Sequence, residues 1–438
     1  MIRSSGLSLK NANQGKLETV RLFIQEYRKA VQSYVDYLWI TPMTWGKEPN
    51  VRIWNREAGQ LDLPSMISTV GVTFDTKLSG RALKCAATQA CGIVGAVVNK
   101  RKRDLFKATK LEEIHLPISK RLSAAIQTPV TKPVCSAINC EINSVVCSLS
   151  EEGDATGFDL WLTLSSIFNT KEKGRGFKVV IPLQKHRQYK KWSDLMFGQQ
   201  LSSVLLNEDK VVVRFEVEPP ATKGVGETVA IDQGKITCLT MSDGCISTKN
   251  KHGHDLNTIL RQLSRCKKGS QGFRRAESHR TNYINWAVNQ INLSNVKEFK
   301  VEEIVNISYG RRVSRHLSHW VNSQIRDSLK KRCEENGVRF TLVRNEYNSQ
   351  RCSKCGWVHK LNRKSKVFHC RKCSFELDAD FNASQNILYR DTLADIPYEL
   401  RYHKYNMKGF FWLPQGLYFD NGEEITVPPS PKSDHSIR

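Results

Sequence analysis

Residues 351–387 contain, in order, the segments RCSKCG, CRKC at 370–373 and DADFNASQNI at 378–387, with a basic loop between the first two. RCSKCG and CRKC each hold two cysteines separated by two residues, which are Cys352, Cys355, Cys370 and Cys373. Four thiolates with this spacing can surround one Zn²⁺ ion tetrahedrally, at Zn–S distances of about 2.3 Å. The stretch therefore predicts a structural zinc knuckle that leads into an acidic turn and a helix.

The composition indicates a soluble protein that meets a polyanion. The chain has 438 residues, and its 67 Lys and Arg outnumber 43 Asp and Glu, for a formal net charge of +24. This length allows two or three domains. No apolar run approaches the roughly 20 residues of a membrane helix, and no secretion signal is recognisable, so we expect no membrane partner and a cytoplasmic location. The nine cysteines outside the knuckle are expected to be reduced thiols.

Four basic clusters predict contacts with nucleic acid, because neutralised phosphates release condensed counterions. The clusters lie near positions 100, 188, 270 and 363. Aromatic residues beside two of them, Tyr189, Trp192 and Phe273, predict stacking on bases. The candidate contact residues are Lys100, Arg101, Lys102, Arg103, Lys190, Lys191, Arg274 and Arg275.

The chain is expected to divide near Gly224, within a segment rich in proline and glycine at 219–226. In the first part, helical periodicity is visible over 20–40 and 81–107. Short β-branched or alternating segments follow, and they predict strands at 134–146, 158–164, 176–183 and 211–217. Residues 1–224 therefore read as a strand-built module with a helical insertion at about 20–110.

The second part begins with TVAIDQG at 228–234, a buried strand that ends in Asp232. Further strands are predicted at 236–241 and 245–248, joined by an Asp-Gly turn. Three such antiparallel strands with an aspartate in the first are typical of the start of an RNase H-like sheet. Helices and strands are then predicted in the order helix 256–266, helix 276–293, strand 299–304, helix 314–335 and strand 338–343.

Three acidic positions lie in or at the end of a predicted strand or at the start of a predicted helix. They are Asp232, then Glu302 or Glu303 in the strand, then Asp378 or Asp380 at the start of the last helix. Converged carboxylates of this kind can hold two Mg²⁺ or Mn²⁺ ions about 3.5 to 4 Å apart. Strand alternation does not choose between Glu302 and Glu303, because a shift of one residue exchanges the two faces.

Five motifs carry a family resemblance. AIDQG at 230–234, VEEI at 301–304, NSQRCSKCG at 348–356, CRKC and DADFNASQNI resemble, in order, the RuvC nuclease of TnpB proteins and of compact type V CRISPR effectors. The resemblance covers about 225–388. It implies an RNA-guided DNA endonuclease of a prokaryote, phage or mobile element, with guide RNA and double-stranded target DNA as partners.

The resemblance also implies the fold and the roles of residues. The fold class is α/β and α+β multidomain: an N-terminal β-barrel-like wedge with a helical recognition insertion, then an RNase H-like (RuvC) domain at 225–388 with an inserted zinc knuckle at 348–376. Asp232, Glu302 and Asp380 match the three Mg²⁺ ligands and catalytic acids, with Asp378 as the alternative to Asp380. The four cysteines match the zinc ligands.

Three matters stay open at this stage. The extension at 389–438 has no counterpart in the resemblance, and we expect it to be packed in part. A single nuclease domain of this size implies either a homodimer on the RNA or a large guide RNA that completes the binding channel. The alternative functions are a nuclease-silent RNA-guided DNA-binding regulator and an unguided zinc-containing accessory protein of a transposon.

Overall fold

The computed structural model describes residues 1–40, 75–113, 118–128, 130–151, 157–193, 198–304, 318–396 and 409–425. The chain forms two compact units, Met1–Glu218 and Pro219–Ser436. The division falls at the start of the segment of prolines and glycines, six residues before Gly224. The predicted helical insertion at about 20–110 overlaps residues 41–74, which lie outside the described ones.

The first unit contains two antiparallel sheets and two long helices. One sheet has the strand order β1-β7-β6-β2 and the other β3-β4-β5. The strands are β1 (Ile2–Ser8), β2 (Cys140–Ile142), β3 (Cys147–Ser150), β4 (Leu160–Ser165), β5 (Lys178–Leu183), β6 (Gly198–Leu206) and β7 (Lys210–Val217). The helices are α1 (Gln14–Ile40), α2 (Gly80–Glu113), α3 (Lys120–Gln127), α4 (Thr170–Lys173) and α5 (Arg187–Ser193).

Helices α1 and α2 pack against each other and share the core of the first unit with the sheets. Small side chains on α2, among them Ala82, Ala86 and Ala90, are fully buried and allow close approach. Helix α2 also has the length and composition of a helix that could cross a membrane, and 44% of its most apolar 18-residue segment is buried inside the protein. Its burial in this core accounts for that composition.

Several predicted strands differ from the observed ones. The strand expected at 134–146 is only three residues long, Cys140–Ile142. Strands β1 and β6 were not predicted, because their serines, glutamines and glycines conceal the alternation of buried and exposed positions. Both lie in the four-stranded sheet, where cross-strand pairing with β7 stabilises segments of modest intrinsic propensity.

The second unit is built on a mixed sheet with the strand order β11-β10-β8-β9. Strand β10 runs parallel to both of its neighbours, whereas β8 and β9 are antiparallel. The third predicted strand, 245–248, is reduced to one bridge between Thr240 and Ile246. The strands are β8 (Glu227–Gln233), β9 (Leu239–Met241), β10 (Val296–Glu302) and β11 (Arg339–Val343).

Helices cover this sheet and enclose its core. Ser270 caps the helix predicted at 276–293, and this helix begins at Gln271, five residues earlier than predicted. The helix predicted at 314–335 is observed from Asn322, and residues 305–317 lie outside the described ones. The helices are α6 (Leu256–Arg265), α7 (Gln271–Asn289), α8 (Asn322–Glu335) and α9 (Ala379–Leu388).

Two small antiparallel sheets complete the unit. Strands β13, β14 and β15 form one of them, immediately before α9, and β12, β16 and β17 form the other. The second sheet pairs the knuckle with residues 410–418 of the C-terminal extension, which are therefore packed as expected. The strands are β12 (Trp357–Val358), β13 (Arg363–Lys364), β14 (Val367–His369), β15 (Glu376–Asp378), β16 (Phe410–Leu413) and β17 (Gly416–Tyr418).

Candidate functional site

Asp232 lies near the end of β8 and is only 8% exposed. Strands β8 and β10 are parallel, and Ile231 pairs with Val301. The next residues along the two strands are Asp232 and Glu302, so the two acids emerge at the same edge of the sheet. This is the edge at which the carboxyl ends of parallel strands meet and where α/β sheets bind ligands.

Glu302 is the last residue of β10, and its carboxylate faces Asp232 closely enough for the charge of Asp232 to raise its pKa. Asn348 donates a hydrogen bond of 3.0 Å to Oε1 of Glu302. Glu303 lies beyond the strand, where its main-chain N–H donates to the carbonyl of Val343 at 2.8 Å. The geometry therefore favours Glu302 over Glu303 as the member of the cluster.

Asp378 and Asp380 have different tasks at the start of α9. Asp378 is the N-cap residue: its Oδ1 accepts from the main-chain N–H groups of Asp380 and Phe381, both at 3.0 Å. The side chain of Asp378 is exposed, whereas Asp380 is 4% exposed and interacts electrostatically with Asp232. Capping explains the first acid of the motif, and the second is the one that joins the acidic cluster.

The cluster holds more negative charge than its environment stabilises. Burial, followed by the charge of Asp380, raises the pKa of Asp232 to about 7. Burial, followed by the charge of Asp232, raises the pKa of Glu302 to about 8. Neighbouring carboxylates with raised pKa values are typical of functional sites, because a bound cation can relieve both the desolvation and the mutual repulsion.

Two cations from the knuckle face the cluster. Arg363 Nη2 lies 2.6 Å from Asp380 Oδ1, and Lys366 Nζ contacts Asp380 Oδ2 and donates to Thr237 at 2.8 Å. The basic character of the loop is visible in the sequence, but no motif singles out these two residues. Only their position on the strand pair β13–β14, whose tight turn at Ser365 and Lys366 lies beside α9, reveals their role.

A cleft of about 290 Å³ opens in front of Asp380. Gly234 forms part of its wall, and a Cβ at this position would lie 2.3 Å from the carbonyl oxygen of Thr237 and 3.7 Å from Asp380 Oδ2. The glycine of the AIDQG motif is therefore needed for the close approach of the loop after β8. The cleft is lined by Gly234, Lys235, Ile236, Arg363, Ser365, Lys366 and Asp380.

The four cysteines form a second, separate candidate site. Their sulfur atoms all lie within 4.8 Å of one another, so among the described residues they form a group that could hold a metal ion. Cys352 and Cys373 are 3.8 Å apart, and Cys355 and Cys370 are 3.6 Å apart. A tetrahedron with Zn–S distances of about 2.3 Å has edges of about 3.8 Å. The sulfur geometry thus fits one zinc ion.

A buried polar network joins the knuckle to α9. Asn382 donates to the carbonyl of Arg351 at 2.8 Å and accepts from the N–H of Ser353 at 3.0 Å. Asn386 donates to the carbonyls of Asn348 and Arg351, at 2.9 and 2.8 Å, and accepts from the guanidinium of Arg351 at 2.8 Å. The asparagines of DADFNASQNI therefore fix the helix that carries Asp380 to the first cysteine pair.

The predicted nucleic-acid contacts on α2 differ in exposure. Lys100 and Arg103 are exposed and Lys102 is half-buried. Arg101 does not fit the prediction: it is 4% exposed, and its guanidinium donates to the carbonyls of Ala125 and Ile126 at the end of α3. A buried guanidinium that satisfies main-chain carbonyls is a packing element of the first unit.

The other basic candidates remain exposed, but their aromatic neighbours do not. Lys190, Lys191, Arg274 and Arg275 are exposed on α5 and α7. The predicted stacking residues are buried instead, with Tyr189 at 2%, Trp192 at 4% and Phe273 at 6% exposure. In the structure Lys191 lies over the ring of Trp192 at 4.3 Å, so the rings support the helices from inside.

Comparison with known proteins finds sequence matches to part of the chain. A family model described as Cas12f1-like, TNB domain, matches residues 323–387. The CRISPR-associated endodeoxyribonuclease Cas12f1 of Sulfoacidibacillus thermotolerans is 27% identical over 159 residues, which are 36% of this chain and 36% of that protein. A TnpB-like protein of Aquifex aeolicus (strain VF5) is 31% identical over 90 residues, 19% of this chain and 29% of that protein. These matches span about a third of the relatives' own length.

A solved structure resembles a larger part of the chain. The cryo-EM structure of a Cas12f1–sgRNA–target DNA complex aligns with a TM-score of 0.50 and 12% sequence identity. The alignment covers 84% of this chain and 82% of that chain. At this identity the likeness concerns the fold alone, an α/β multidomain architecture.

Proposed function

Because this chain belongs to the family of TnpB-like proteins and compact type V CRISPR effectors, as its motifs predicted, we propose that it is an RNA-guided DNA endonuclease. The observation that carries the proposal is the buried acidic cluster of Asp232, Glu302 and Asp380 at the edge of the mixed sheet. The parallel pair β8–β10 and the antiparallel neighbour β9 support an RNase H-like (RuvC) domain.

The three carboxylates offer the oxygen ligands of a site for two Mg²⁺ or Mn²⁺ ions, although among the described residues only the four cysteines already have all their ligand atoms within 4.8 Å of one another. Carboxylate oxygen is the ligand that these hard cations prefer, and the raised pKa values of Asp232 and Glu302 reflect charge that a cation would compensate. The chemistry that two such ions supply is activation of the attacking water and stabilisation of the leaving 3′ oxygen. The protein's part is to bring the three acids to one edge of the sheet, with Asp380 facing the cleft.

Arg363 and Lys366 have two tasks in this proposal. In the ion-free protein they neutralise Asp380 and so lower the electrostatic cost of the cluster. They also line the cleft, together with Lys235. Guanidinium and ammonium groups bind phosphate oxygens well. We infer that the same side chains orient the DNA backbone when the strand to be cut enters the cleft.

The zinc ion that the four cysteines can hold is structural in this proposal. All four ligand positions are protein sulfur atoms, which leaves no open position for a substrate. Its contribution is to fold the knuckle, whose strand pair β13–β14 presents Arg363 and Lys366 to Asp380. Zinc would therefore affect cleavage through the placement of these cations.

The first unit is proposed to bind the guide RNA and the heteroduplex, as a wedge with a helical recognition part. The exposed residues Lys100, Arg103, Lys190 and Lys191 support a backbone contact, which carries no sequence information. Sequence specificity then comes from base pairing between guide and target, while the protein contacts the nucleic-acid backbone, as in other RNA-guided nucleases.

The two alternative functions have less support. A nuclease-silent regulator would not need three coupled acids, and all three are present and buried or half-buried. An unguided zinc-containing accessory protein would account for the knuckle but not for the cleft in front of Asp380.

The test is to express the protein with the genomic region that flanks its gene, sequence the RNA that co-purifies, and assay plasmid cleavage with Mg²⁺. We expect one discrete RNA species and guide-dependent cutting. Asp232→Asn should abolish cutting while RNA and DNA binding persist. Guide-dependent binding without cutting by the wild-type protein would favour the regulator, and purification without a specific RNA would favour the unguided protein.

A further inference from the structure

Glu302 is held from two sides by side-chain amides. Gln233, the last residue of β8, donates from Nε2 to the main-chain oxygen of Glu302 at 3.1 Å. Asn348, the first residue of the knuckle segment, donates from Nδ2 to the carboxylate oxygen Oε1 at 3.0 Å. The two amides therefore fix both the backbone and the side chain of the residue that stands at the end of its strand.

The hydrogen-bond partners determine which way each amide is turned. Gln233 faces a main-chain carbonyl of Glu302, and Asn348 Nδ2 also faces the carbonyl of Arg344 at 2.9 Å. A carbonyl oxygen only accepts, so the NH₂ group of each amide must point towards it. The NH₂ group of Asn348 is consequently the one that reaches Glu302.

Burial makes these contacts rigid. Gln233 is 4% exposed and Asn348 is 0% exposed. The main-chain oxygen of Asn348 accepts a hydrogen bond of 2.9 Å from Asn386 on α9, the helix that also carries Asp380. A continuous path of hydrogen bonds thus runs from α9 through Asn348 to Glu302, and it ties the second acid to the element of the third.

The remaining amide oxygens of Gln233 and Asn348 are buried without a hydrogen-bond partner among the described residues. Such groups are costly and rare in native proteins, where they mark strained or functional places. Here both belong to the side chains that contact Glu302. A purely structural pair of amides would be expected to satisfy its oxygens as well.

We propose that Gln233 and Asn348 are positioning residues that hold Glu302 towards Asp232 before a divalent cation binds. A free glutamate side chain would turn away from the neighbouring carboxylate, and ordering it on binding would cost rotamer entropy. The amides remove that cost in advance. The inference rests on the proposed function, since it presupposes that Glu302 binds a cation.

The test compares variants in the full-length, zinc-loaded protein. Asn348→Asp keeps the shape but replaces the donor with an acceptor and a negative charge. Gln233→Met keeps the length and removes the donor. The matched control is Gln385→Met, which deletes a similar hydrogen bond, 2.7 Å from Gln385 Nε2 to the carbonyl of Ser242, in the same unit but away from Glu302.

The primary measurement is direct Mn²⁺ binding by electron paramagnetic resonance, which does not depend on cleavage. We expect Asn348→Asp and Gln233→Met to weaken Mn²⁺ binding about 10- to 100-fold, the usual effect of losing a residue that orients a metal ligand. Gln385→Met should bind Mn²⁺ as the wild type does. The Mg²⁺ concentration for half-maximal cleavage should rise by a similar factor in the first two variants.

The proposal is overturned if Gln233→Met binds Mn²⁺ with wild-type affinity, whatever its thermal stability, or if Gln385→Met weakens binding equally. A wild-type protein that binds no Mn²⁺ also overturns it. The two proposals fail separately. If the wild-type protein never cuts DNA but the variants bind Mn²⁺ more weakly than it does, the positioning role stands and the nuclease function fails. If the variants bind Mn²⁺ and cut DNA as the wild type does, the nuclease function stands and the positioning role fails.

Discussion

The zinc knuckle and the acidic cluster lie in the same unit but are assembled in opposite ways. The knuckle takes all its ligands from one short segment, Cys352 to Cys373, and its sulfur atoms are already placed for one ion. The acidic cluster takes one residue each from β8, β10 and α9, and Arg363 and Lys366 contact one of its members, Asp380. A local site depends on its metal for folding, whereas a site assembled from distant elements depends on the fold for its geometry.

The largest expected effect separates the two aspartates of α9. Asp380→Asn should reduce cleavage by about 10³-fold or more, because it removes a charged member of the cluster. Asp378→Asn should retain cleavage within about twofold, since asparagine is an equally good N-cap residue. Plasmid cleavage under single-turnover conditions measures both. Equal losses of cleavage in the two variants would mean that the buried Asp380 has no role in cleavage beyond that of the capping Asp378.

The next effect concerns the knuckle. Cys370→Ser should lose bound zinc, and the binding energy that folds a four-cysteine site is lost with it. We expect a lower melting temperature and cleavage reduced about 10- to 100-fold through displacement of Arg363 and Lys366. Metal analysis, calorimetry and cleavage assays measure this, with exposed Cys245→Ser as the control. Full zinc content in Cys370→Ser would contradict the assigned ligand set.

A pH experiment addresses the acidic cluster without Mg²⁺. The pKa of Asp232 is raised to about 7 and that of Glu302 to about 8, mainly by burial. The folded protein therefore keeps protons that the unfolded chain releases near pH 4, and its free energy of unfolding falls as the pH rises from about 4 to about 8. The free energy of unfolding of Asp232→Asn should exceed that of the wild type by about 2 kcal/mol at pH 8. At pH 5 this difference should be smaller.

Chemical denaturation at the two pH values, in zinc-loaded protein free of Mg²⁺, measures this difference. Asp378→Asn serves as the control, because its carboxylate is exposed and outside the cluster. A stability difference between Asp232→Asn and the wild type that does not change with pH would show that the pKa of Asp232 is not raised in the folded protein.

The smallest effect tests the contact between the knuckle and the C-terminal hairpin β16–β17. Gly356 has a φ of +79°, and a Cβ there would lie 2.7 Å from Leu413 Cδ2 and 2.9 Å from the Trp412 carbonyl oxygen. Gly422 has a φ of +85° but no atom within 4 Å of a Cβ. Gly356→Ala should therefore cost about 2 to 3 kcal/mol, against about 1 kcal/mol for Gly422→Ala. Thermal denaturation measures both, and equal costs would mean that the hairpin does not pack on the knuckle.

The sequence by itself predicted the cysteine pairs of the knuckle, the main strands and helices of the second unit from β8 to β11, and the acidic positions of the cluster. Cysteine spacing acts over a few residues, and a buried strand that ends in an acid is visible in a short window. The same local reading left Glu302 and Glu303, and Asp378 and Asp380, as alternatives. It also treated Arg101, Tyr189, Trp192 and Phe273 as surface groups, because a residue type does not reveal its exposure.

Only the tertiary structure decided which acids converge and what holds them. The parallel register of β8 and β10 brings Glu302 to Asp232, and capping by Asp378 leaves Asp380 for the cluster. The positions of Arg363, Lys366, Gln233 and Asn348 depend on chain segments that are far apart in sequence and meet at one sheet edge. Such contacts follow from packing and register, which no local pattern of residues contains.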